Sequence, residues 1–259
     1  MAMLWLRSLV RYAYYLLPVS LPRKARWDAS RRPPYLHGVL WAAEEARRQG
    51  HDCVSVVEFG VAEGHGLLLM QEHALAADRY TGVRVNVYGF DGGRGIPSGT
   101  GDYRDHIDVW MPGDYKMDEA ALRAKLGPRT TLTIGDVAET AVSTAIAAPL
   151  GFVSMDLDLY SSTAHALRIL QRPDVPRLRR VALYFDDVED VYCHRWAGEL
   201  LAIHEFNEIS RAVKIDRWRG LQAYRPFPEA IWLPRMYLAH DLDAINRVKL
   251  DRRPARLGR

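Results

Sequence analysis

Cysteine and net charge are both scarce in this sequence. Only two of its 259 residues are cysteine, so a disulfide framework is excluded, and no Cys/His spacing is typical of a zinc site. A reducing, cytoplasmic compartment is therefore expected. The net charge is +3, from 35 basic and 32 acidic residues. This near balance argues against a nucleic-acid-binding protein, in which basic charge is concentrated on one face.

A long apolar run is also missing. The most apolar stretch, MLWLRSLVRYAYYLL, is interrupted by Arg7 and Arg11 and is followed by Pro18. It is shorter than the roughly 20 apolar residues of a membrane span. Its charges lie inside the apolar region and no small-residue cleavage site follows, which argues against a signal peptide. Two interpretations of residues 1–34 stay open: a helix packed on the domain or on a second subunit, or a helix lying on a membrane surface.

Strand-like and helix-like segments alternate through most of the chain. With 48% hydrophobic and 26% charged residues, the composition is that of a globular domain. The alternation predicts an α/β fold, with a mostly parallel central sheet and helices on both faces. The last two strand candidates, 212–218 and 230–240, have no helix between them, so we expect the last strand to be antiparallel. The domain is predicted over residues 35–245, followed by a basic tail, 246–259.

Paired carboxylates follow two of the apolar strands. FVSMDLDLYSST contains Asp156 and Asp158, and VALYFDDVED contains Asp186 and Asp187. Asp156 and Asp158 are two apart and are predicted on the same side of a strand. If the two strands are neighbours, four carboxylates converge, and oxygen ligands suit Mg²⁺ before Ca²⁺. A metal would lower the pKa of a bound hydroxyl, and a remaining carboxylate could take the proton. The alternative is that these residues cap helices and accept backbone amides.

A glycine-rich turn follows the first predicted strand. In VEFGVAEGHG, Glu58 ends the strand and Gly60, Gly64 and Gly66 follow. The spacing differs from the dinucleotide fingerprint G-x-G-x-x-G. Glycines here let the backbone approach a ligand before a helix N-terminus, and the acid suits a ligand with a positive centre and hydroxyls. The turn resembles the glycine-rich loop of class I S-adenosylmethionine-dependent methyltransferases, and a purely structural strand-to-helix turn is the alternative.

Two further acids end the next strands. Asp91 in VYGFDGG can accept both ribose hydroxyls of an adenosine group, or it can simply form a turn before glycine. Asp136 in TIGDVAET can bond an adenine amino group or cap the following helix. The sequence does not choose between these roles for Asp136.

Six segments occur together in the order of a known family. They are FGVAEGHG, GFDGGRGIP, IGDVAET, SMDLDLYSSTAHAL, YFDD and GELLAIHEFNE. The sequence resembles the macrocin O-methyltransferase (TylF-type) family, which includes the mycinamicin and novobiocin sugar methyltransferases, over about residues 35–240. The resemblance implies a Rossmann-like class I methyltransferase fold and Mg²⁺-dependent methylation of a hydroxyl.

The same resemblance implies a role for each candidate residue. Asp156, Asp186 and Asp187 correspond to metal ligands, and Asp158 corresponds to the general base. The implied cofactor contacts are Glu58, Gly60, Gly64, Asp91 and Asp136.

The expected protein is thus an S-adenosylmethionine- and Mg²⁺-dependent O-methyltransferase. Its acceptor is expected to be a sugar or a glycosylated small molecule of natural product biosynthesis. Two alternatives remain: an enzyme for a phenolic or lipid-linked hydroxyl, and a catalytically silent relative that binds the cofactor or acts as a scaffold. A homodimer is expected from the resemblance and from the apolar N-terminus.

Residues 92–117 form a long segment without periodicity, and such a segment in a compact domain is usually functional or mobile. With residues 1–34, it is expected to cover the acceptor. His106 within it is interpreted as a surface residue, with acceptor contact as the alternative. Glu205 and Asn207 are expected either to close the site or to lie on a solvated helix face.

Overall fold

The fold is built on one seven-stranded sheet. The computed structural model describes residues 2–97, 101–106, 108–223 and 225–249, with residues 2–4 described by their backbone only. The strands are β1 (Cys53–Phe59), β2 (Arg84–Asp91), β3 (Thr130–Ile134), β4 (Leu150–Met155), β5 (Arg177–Phe185), β6 (Val213–Arg217) and β7 (Met236–Asp241). Their order in the sheet is β3-β2-β1-β4-β5-β7-β6.

The first five strands pair in parallel. β7, the last strand of the chain, lies between β5 and β6 and is antiparallel to both. The predicted α/β class and the antiparallel last strand are therefore confirmed, and the parallel strands form a Rossmann-like sheet. The final strand is shorter than predicted, because residues 233–235 form a 3₁₀ turn and extended pairing begins at Met236.

Helices cover both faces of the sheet. They are α1 (Ala2–Leu16), α2 (Leu21–Arg26), α3 (Pro33–Arg48), α4 (His65–Thr81), α5 (Glu119–Arg123), α6 (Val137–Ser143), α7 (Tyr160–Ala166), α8 (Gly198–Ile209) and α9 (Leu242–Asn246). β4 is buried along its whole length and β1 at all but its first residue. This double coverage explains why the strands are continuous apolar runs rather than alternating ones.

Each face of the sheet has its own hydrophobic core. One core includes Tyr35, Val56, Leu67, Met70 and Phe152. The other includes Val57, Phe90, Leu167, Phe185 and Phe206. Full burial of one such side chain contributes about 1.5–3 kcal/mol, so the two cores hold the strand ends in a fixed arrangement.

The N-terminal segment joins the domain through a buried ion pair. Arg225 Nη2 donates to Asp28 Oδ1 at 2.7 Å, and Trp232 Nε1 donates to Asp28 Oδ2 at 3.3 Å. The side chains of Asp28 and Arg225 are only 3% and 8% exposed. We call these three residues the N–C clamp. It ties the segment before α3 to the segment before β7.

The predicted domain start at residue 35 falls inside the first turn of α3, whose Tyr35 is fully buried. α9 ends at Asn246, and most of the predicted tail, 246–259, lies outside the described residues. In the part of the chain that the structure describes, no helix combines the length and the apolar character that crossing a bilayer requires.

Candidate active site

The carboxyl ends of the parallel strands bring together the predicted site residues. β1, β2, β3, β4 and β5 end beside or just before Glu58, Asp91, Asp136, Asp156 and Asp186, respectively. In sheets of this kind, ligands bind at this edge.

The glycine-rich turn between β1 and α4 packs tightly against the end of β4. Gly60 has φ +83°, and a Cβ there would lie 1.7 Å from the backbone oxygen of Asp156. Gly64, with φ +87°, precedes the first residue of α4. Only glycine fits at Gly60, because both the positive φ and the close backbone approach exclude a side chain.

Asp91 organises this turn. Its Oδ2 accepts from the backbone N–H groups of Val61 and Ala62, both at 2.9 Å, and its Oδ1 accepts from Gly93 N at 2.6 Å. Ala62 has φ +47°, a left-handed conformation that costs a non-glycine residue free energy. The carboxylate therefore holds the turn in a strained shape. Its predicted contact with ribose hydroxyls stays a prediction.

Glu58 lies in a buried network that the sequence did not reveal. Its side chain is 1% exposed. The Tyr35 hydroxyl donates to Glu58 Oε1 at 2.5 Å. The same hydroxyl accepts hydrogen bonds from Ser154 and from Arg32 Nη1. Arg32 Nη1 also lies 3.9 Å from Glu58 Oε1. Oε2 is buried without a partner. Burial raises the pKa of Glu58 to about 8, although the Tyr35 hydrogen bond and the Arg32 charge act to lower it.

Asp136 forms the N-cap of α6. Its Oδ1 accepts from Ala138 N at 2.8 Å, so the capping alternative is confirmed. The adenine contact remains a prediction, because a capping carboxylate keeps a second oxygen.

Four of the predicted residues form one acidic group, to which the structure adds Glu199. We call Asp156, Asp158, Asp186, Asp187 and Glu199 the acidic cluster. The pKa values of Asp156, Asp158 and Asp187 are each raised to about 7, first by burial and then by the charges of neighbouring aspartates. The aspartates are therefore near enough to raise one another's pKa, and the convergence of all four on one ion stays a prediction.

The strand argument for Asp156 and Asp158 was wrong in its details. β4 ends at Met155, so neither residue lies on the strand. Asp158 has φ +61°, and this left-handed turn, rather than the period of two, brings it close to Asp187. The side chain of Asp158 is 9% exposed.

Two arginines oppose part of this negative charge. Arg235 Nη1 donates to Asp186 Oδ1 at 2.9 Å, and Tyr184 donates a short hydrogen bond to the same oxygen. Arg32 Nη1 lies 3.8 Å from Asp156 Oδ2. Both arginines come from segments outside the quoted motifs, and sequence reasoning missed them.

Glu199, in the first turn of α8, is fully buried. Its Oε2 accepts from the backbone N–H of Asp187 at 2.9 Å, and its Oε1 has no partner. Burial first, and then the charge of Asp187, raises the pKa of Glu199 well above its usual range. Glu199 lies in the quoted segment GELLAIHEFNE, but no role was predicted for it, because its contact with Asp187 has no local pattern.

The acidic cluster has the ligand chemistry of a metal site but not its close packing of side chains. Among the residues that the structure describes, no three His, Cys, Asp or Glu side chains are gathered closely enough to hold a metal ion. The chemistry of the acidic cluster nevertheless suits a hard cation: its ligands are oxygens, it carries more negative than positive charge, and Asp187 Oδ2 is buried without a partner. The donor set fits Mg²⁺, and the ligand role of Asp156, Asp186 and Asp187 stays a prediction.

The long loop is docked beside this edge. Asp105 accepts from the backbone N–H and the hydroxyl of Ser161, at 2.8 and 3.1 Å. Arg104 donates to the hydroxyl of Tyr160 at 3.2 Å, and Tyr160 donates to Glu205 at 2.5 Å. These contacts fix the loop to α7 and α8.

Two predictions about neighbouring side chains change accordingly. His106 is 9% exposed and its ring lies 5.2 Å from that of His194, so its interpretation as a surface residue was wrong. Asn207 exchanges two hydrogen bonds with the backbone of Ile215, and it joins α8 to β6 instead of lying free on a solvated face.

An open cavity of about 500 Å³ lies between the long loop and the segment that follows the second aspartate pair. Its lining includes Tyr103, His106, Tyr192 and His194. Cys193, between the lining residues Tyr192 and His194, donates through Sγ to the backbone oxygen of Asp187 at 3.0 Å. The cavity is therefore close to the acidic cluster.

No known family model matches the sequence, and no curated protein sequence matches it. Three solved structures are similar to it at low identity. The TDP-rhamnose 3′-O-methyltransferase CalS11 of calicheamicin biosynthesis is 19% identical, with 79% of this chain and 78% of that chain covered and a TM-score of 0.46. The O-methyltransferase TomG from Streptomyces achromogenes is 12% identical, with 89% and 86% covered and a TM-score of 0.43. An rRNA methylase from Streptococcus thermophilus is 15% identical, with 82% and 98% covered and a TM-score of 0.43. We assign no residue role from these likenesses.

Proposed function

We propose that this protein is an S-adenosylmethionine-dependent O-methyltransferase of the macrocin (TylF) type, acting on a hydroxyl of a sugar or of a glycosylated small molecule. The observation that carries the proposal is the acidic cluster at the carboxyl edge of the sheet, where carboxylates outnumber the neighbouring arginines. The cluster lies beside the turn in which only glycine fits at Gly60. A sulfonium cofactor and a hard cation both supply the positive charge that this edge lacks.

The cofactor contacts follow from the turn after β1. Gly60 lets the turn pack against the end of β4, and Gly64 leads into the N-terminus of α4, where backbone N–H groups would face a ligand. Asp91 and Asp136 lie at the ends of the next two strands, where the ribose and the adenine would be held. The protonation of Glu58 would change when a positive group binds nearby. Its pKa is raised to about 8, and a positive charge would favour its ionised form. Binding of the methyl donor is therefore expected to release a proton from Glu58.

Asp156, Asp186 and Asp187 would hold Mg²⁺. The ion would supply positive charge and make a bound hydroxyl more acidic. Arg32 and Arg235 keep Asp156 and Asp186 oriented by charge and hydrogen bonds.

Asp158 is the proposed general base. Its pKa of about 7 lies near the operating pH, where a general base is most efficient. Its left-handed backbone is held by the surrounding packing, and strain of this kind is common at active sites. Asp158 would take the proton of the acceptor hydroxyl as the oxygen attacks the methyl group, and much of the acceleration would come from positioning the two reactants.

The cavity beside the long loop is the proposed acceptor site. Its tyrosine and histidine side chains offer flat faces and hydrogen-bonding groups, which suit a sugar ring. An acceptor bound there would lie near the proposed base, because Asp158 and Asp187 raise each other's pKa in the acidic cluster.

The test is transfer of a labelled methyl group from S-adenosylmethionine to a panel of nucleotide sugars, glycosides, vicinal diols and phenols. With an acceptor found, Asp158→Asn should lower turnover by about 10²- to 10⁴-fold while leaving the affinity for S-adenosylhomocysteine unchanged. The control is Asp52→Asn, whose side chain is 89% exposed at the opposite edge of the sheet. Full activity of Asp158→Asn would exclude Asp158 as the base, and transfer to phenols alone would exclude the sugar assignment.

A further inference from the structure

Helix α1 exposes an apolar stripe to solvent. Trp5, Leu9, Tyr12 and Leu16 are spaced by four, three and four residues, so they lie on one face of the helix. They are 68%, 45%, 63% and 62% exposed, respectively. A helix in a globular protein ordinarily turns such a stripe toward a core, and this one turns it away from the domain.

The opposite face of α1 contacts the domain. The ring of Tyr14 lies 5.4 Å from that of Trp27 in an edge-to-face arrangement. The guanidinium of Arg11 lies 5.8 Å from the ring of Phe227, two residues beyond Arg225 of the N–C clamp. The helix is thus attached by one face, and the attachment leaves the stripe outward.

The charge around the stripe has one sign. The first 27 residues contain five basic residues and no acidic one. The basic residues are Arg7, Arg11, Arg23, Lys24 and Arg26.

A cavity of about 410 Å³ begins at Tyr15, near the end of α1, and Lys24, Arg31 and Arg79 contribute to its lining. One carboxylate of this lining, Glu72, pairs with Arg31 at 3.3 Å. The cations therefore outnumber the acids both in the sequence around the stripe and in the cavity beside it.

We propose that α1 lies on an anionic membrane surface, with the stripe among the lipid headgroups and the basic residues of α2, Arg23, Lys24 and Arg26, against their negative charge. Tryptophan and tyrosine favour this interface, and basic residues are attracted to anionic lipids. A second copy of the chain would cover the same stripe, but a symmetric pair would bring two acid-free basic segments together, and their repulsion opposes it. The proposal is independent of the proposed methyltransferase activity.

The test is flotation of the full chain with vesicles of phosphatidylcholine alone and with vesicles that also contain phosphatidylglycerol. We expect binding to the anionic vesicles and a loss of that binding at high salt. Leu9→Glu should weaken it roughly tenfold or more, because one leucine leaves the apolar region. The double variant Arg23→Gln/Lys24→Gln should weaken binding to anionic vesicles. The matched control is Ile209→Glu, which changes an apolar residue that is 74% exposed at the end of α8, and it should bind like the wild type.

Three results would overturn the proposal. The first is a chain that does not float with either kind of vesicle. The second is binding that is equally strong to neutral and to anionic vesicles. The third is a wild type that binds no vesicles and is a dimer in light scattering, with Leu9→Glu converting it to a monomer. The last result would assign the stripe to a second copy.

Discussion

The N–C clamp and the acidic cluster both bury charge, but they balance it differently. In the N–C clamp, one carboxylate meets one guanidinium, and both of its oxygens accept a hydrogen bond. In the acidic cluster, five carboxyl groups face Arg235 and the more distant Arg32, and three aspartates have their pKa raised to about 7. Both carboxylate oxygens of the clamp are hydrogen-bonded within the chain, whereas in the acidic cluster Asp187 Oδ2 and Glu199 Oε1 are buried without a partner among the described residues. The balance of buried charge thus distinguishes a structural contact from a candidate site.

The largest expected effect on stability is at the clamp. Asp28→Asn should destabilise the protein by about 3–5 kcal/mol, because it leaves Arg225 buried without an opposite charge. The amide would also turn a donor toward either Arg225 or Trp232. Urea unfolding measures the change.

The matched control for Asp28→Asn is Asp216→Asn. Asp216 pairs with Arg219 on the surface, where the two side chains are 54% and 78% exposed, and its loss should cost less than about 1 kcal/mol. Equal effects of the two variants would contradict the special role of the clamp.

A smaller effect is expected on acidification near the clamp. Burial, and then the charge of Arg225, lowers the pKa of His37 to about 3. Below about pH 6.5, His37 binds a proton in the unfolded chain but not in the folded chain, so the free energy of unfolding falls as pH falls. His37→Phe removes this loss, and its stability relative to the wild type should rise by about 1–2 kcal/mol between about pH 7 and about pH 5. A difference that does not change with pH would show that His37 is protonated in the folded protein.

The pH dependence expected in the acidic cluster has the opposite sign. The pKa of Asp187 is raised in the folded protein to about 7, from 3.8. Between these values the folded chain holds a proton that the unfolded chain has lost, so stability falls as pH rises through this range. Asp187→Asn removes that penalty and should be about 3–4 kcal/mol more stable than the wild type at about pH 8, with little gain at about pH 4. A clear loss of stability at about pH 8 would show that Asp187 is already compensated within the chain.

The sequence was sufficient to predict what depends on local pattern. The parallel strands, the glycine turn and the aspartate pairs were found, because buried parallel strands are continuous apolar runs and polar residues follow them. The antiparallel last strand followed from the missing helix before it.

What the sequence could not predict depends on contacts between distant segments. Tyr35 and Arg32 reach Glu58 from the start of α3, and Glu199 reaches Asp187 from α8. None of these pairings has a local pattern. Asp158 was placed near its partner for the wrong reason, because a left-handed residue cannot be seen in a strand-like motif. His106 was taken for a surface residue because its burial depends on His194, far along the chain.

The central claim is that the carboxyl edge binds a methyl donor beside a cation. The most direct test is calorimetric titration of S-adenosylhomocysteine into the purified protein with and without Mg²⁺, together with titration of Mg²⁺ itself. We expect both to bind, with Asp187→Asn weakening Mg²⁺ and leaving S-adenosylhomocysteine bound. If the folded protein fails to bind either ligand, the claim is contradicted. Failure to bind Mg²⁺ alone would refute the cation site, and failure to bind S-adenosylhomocysteine would refute the proposed methyltransferase activity.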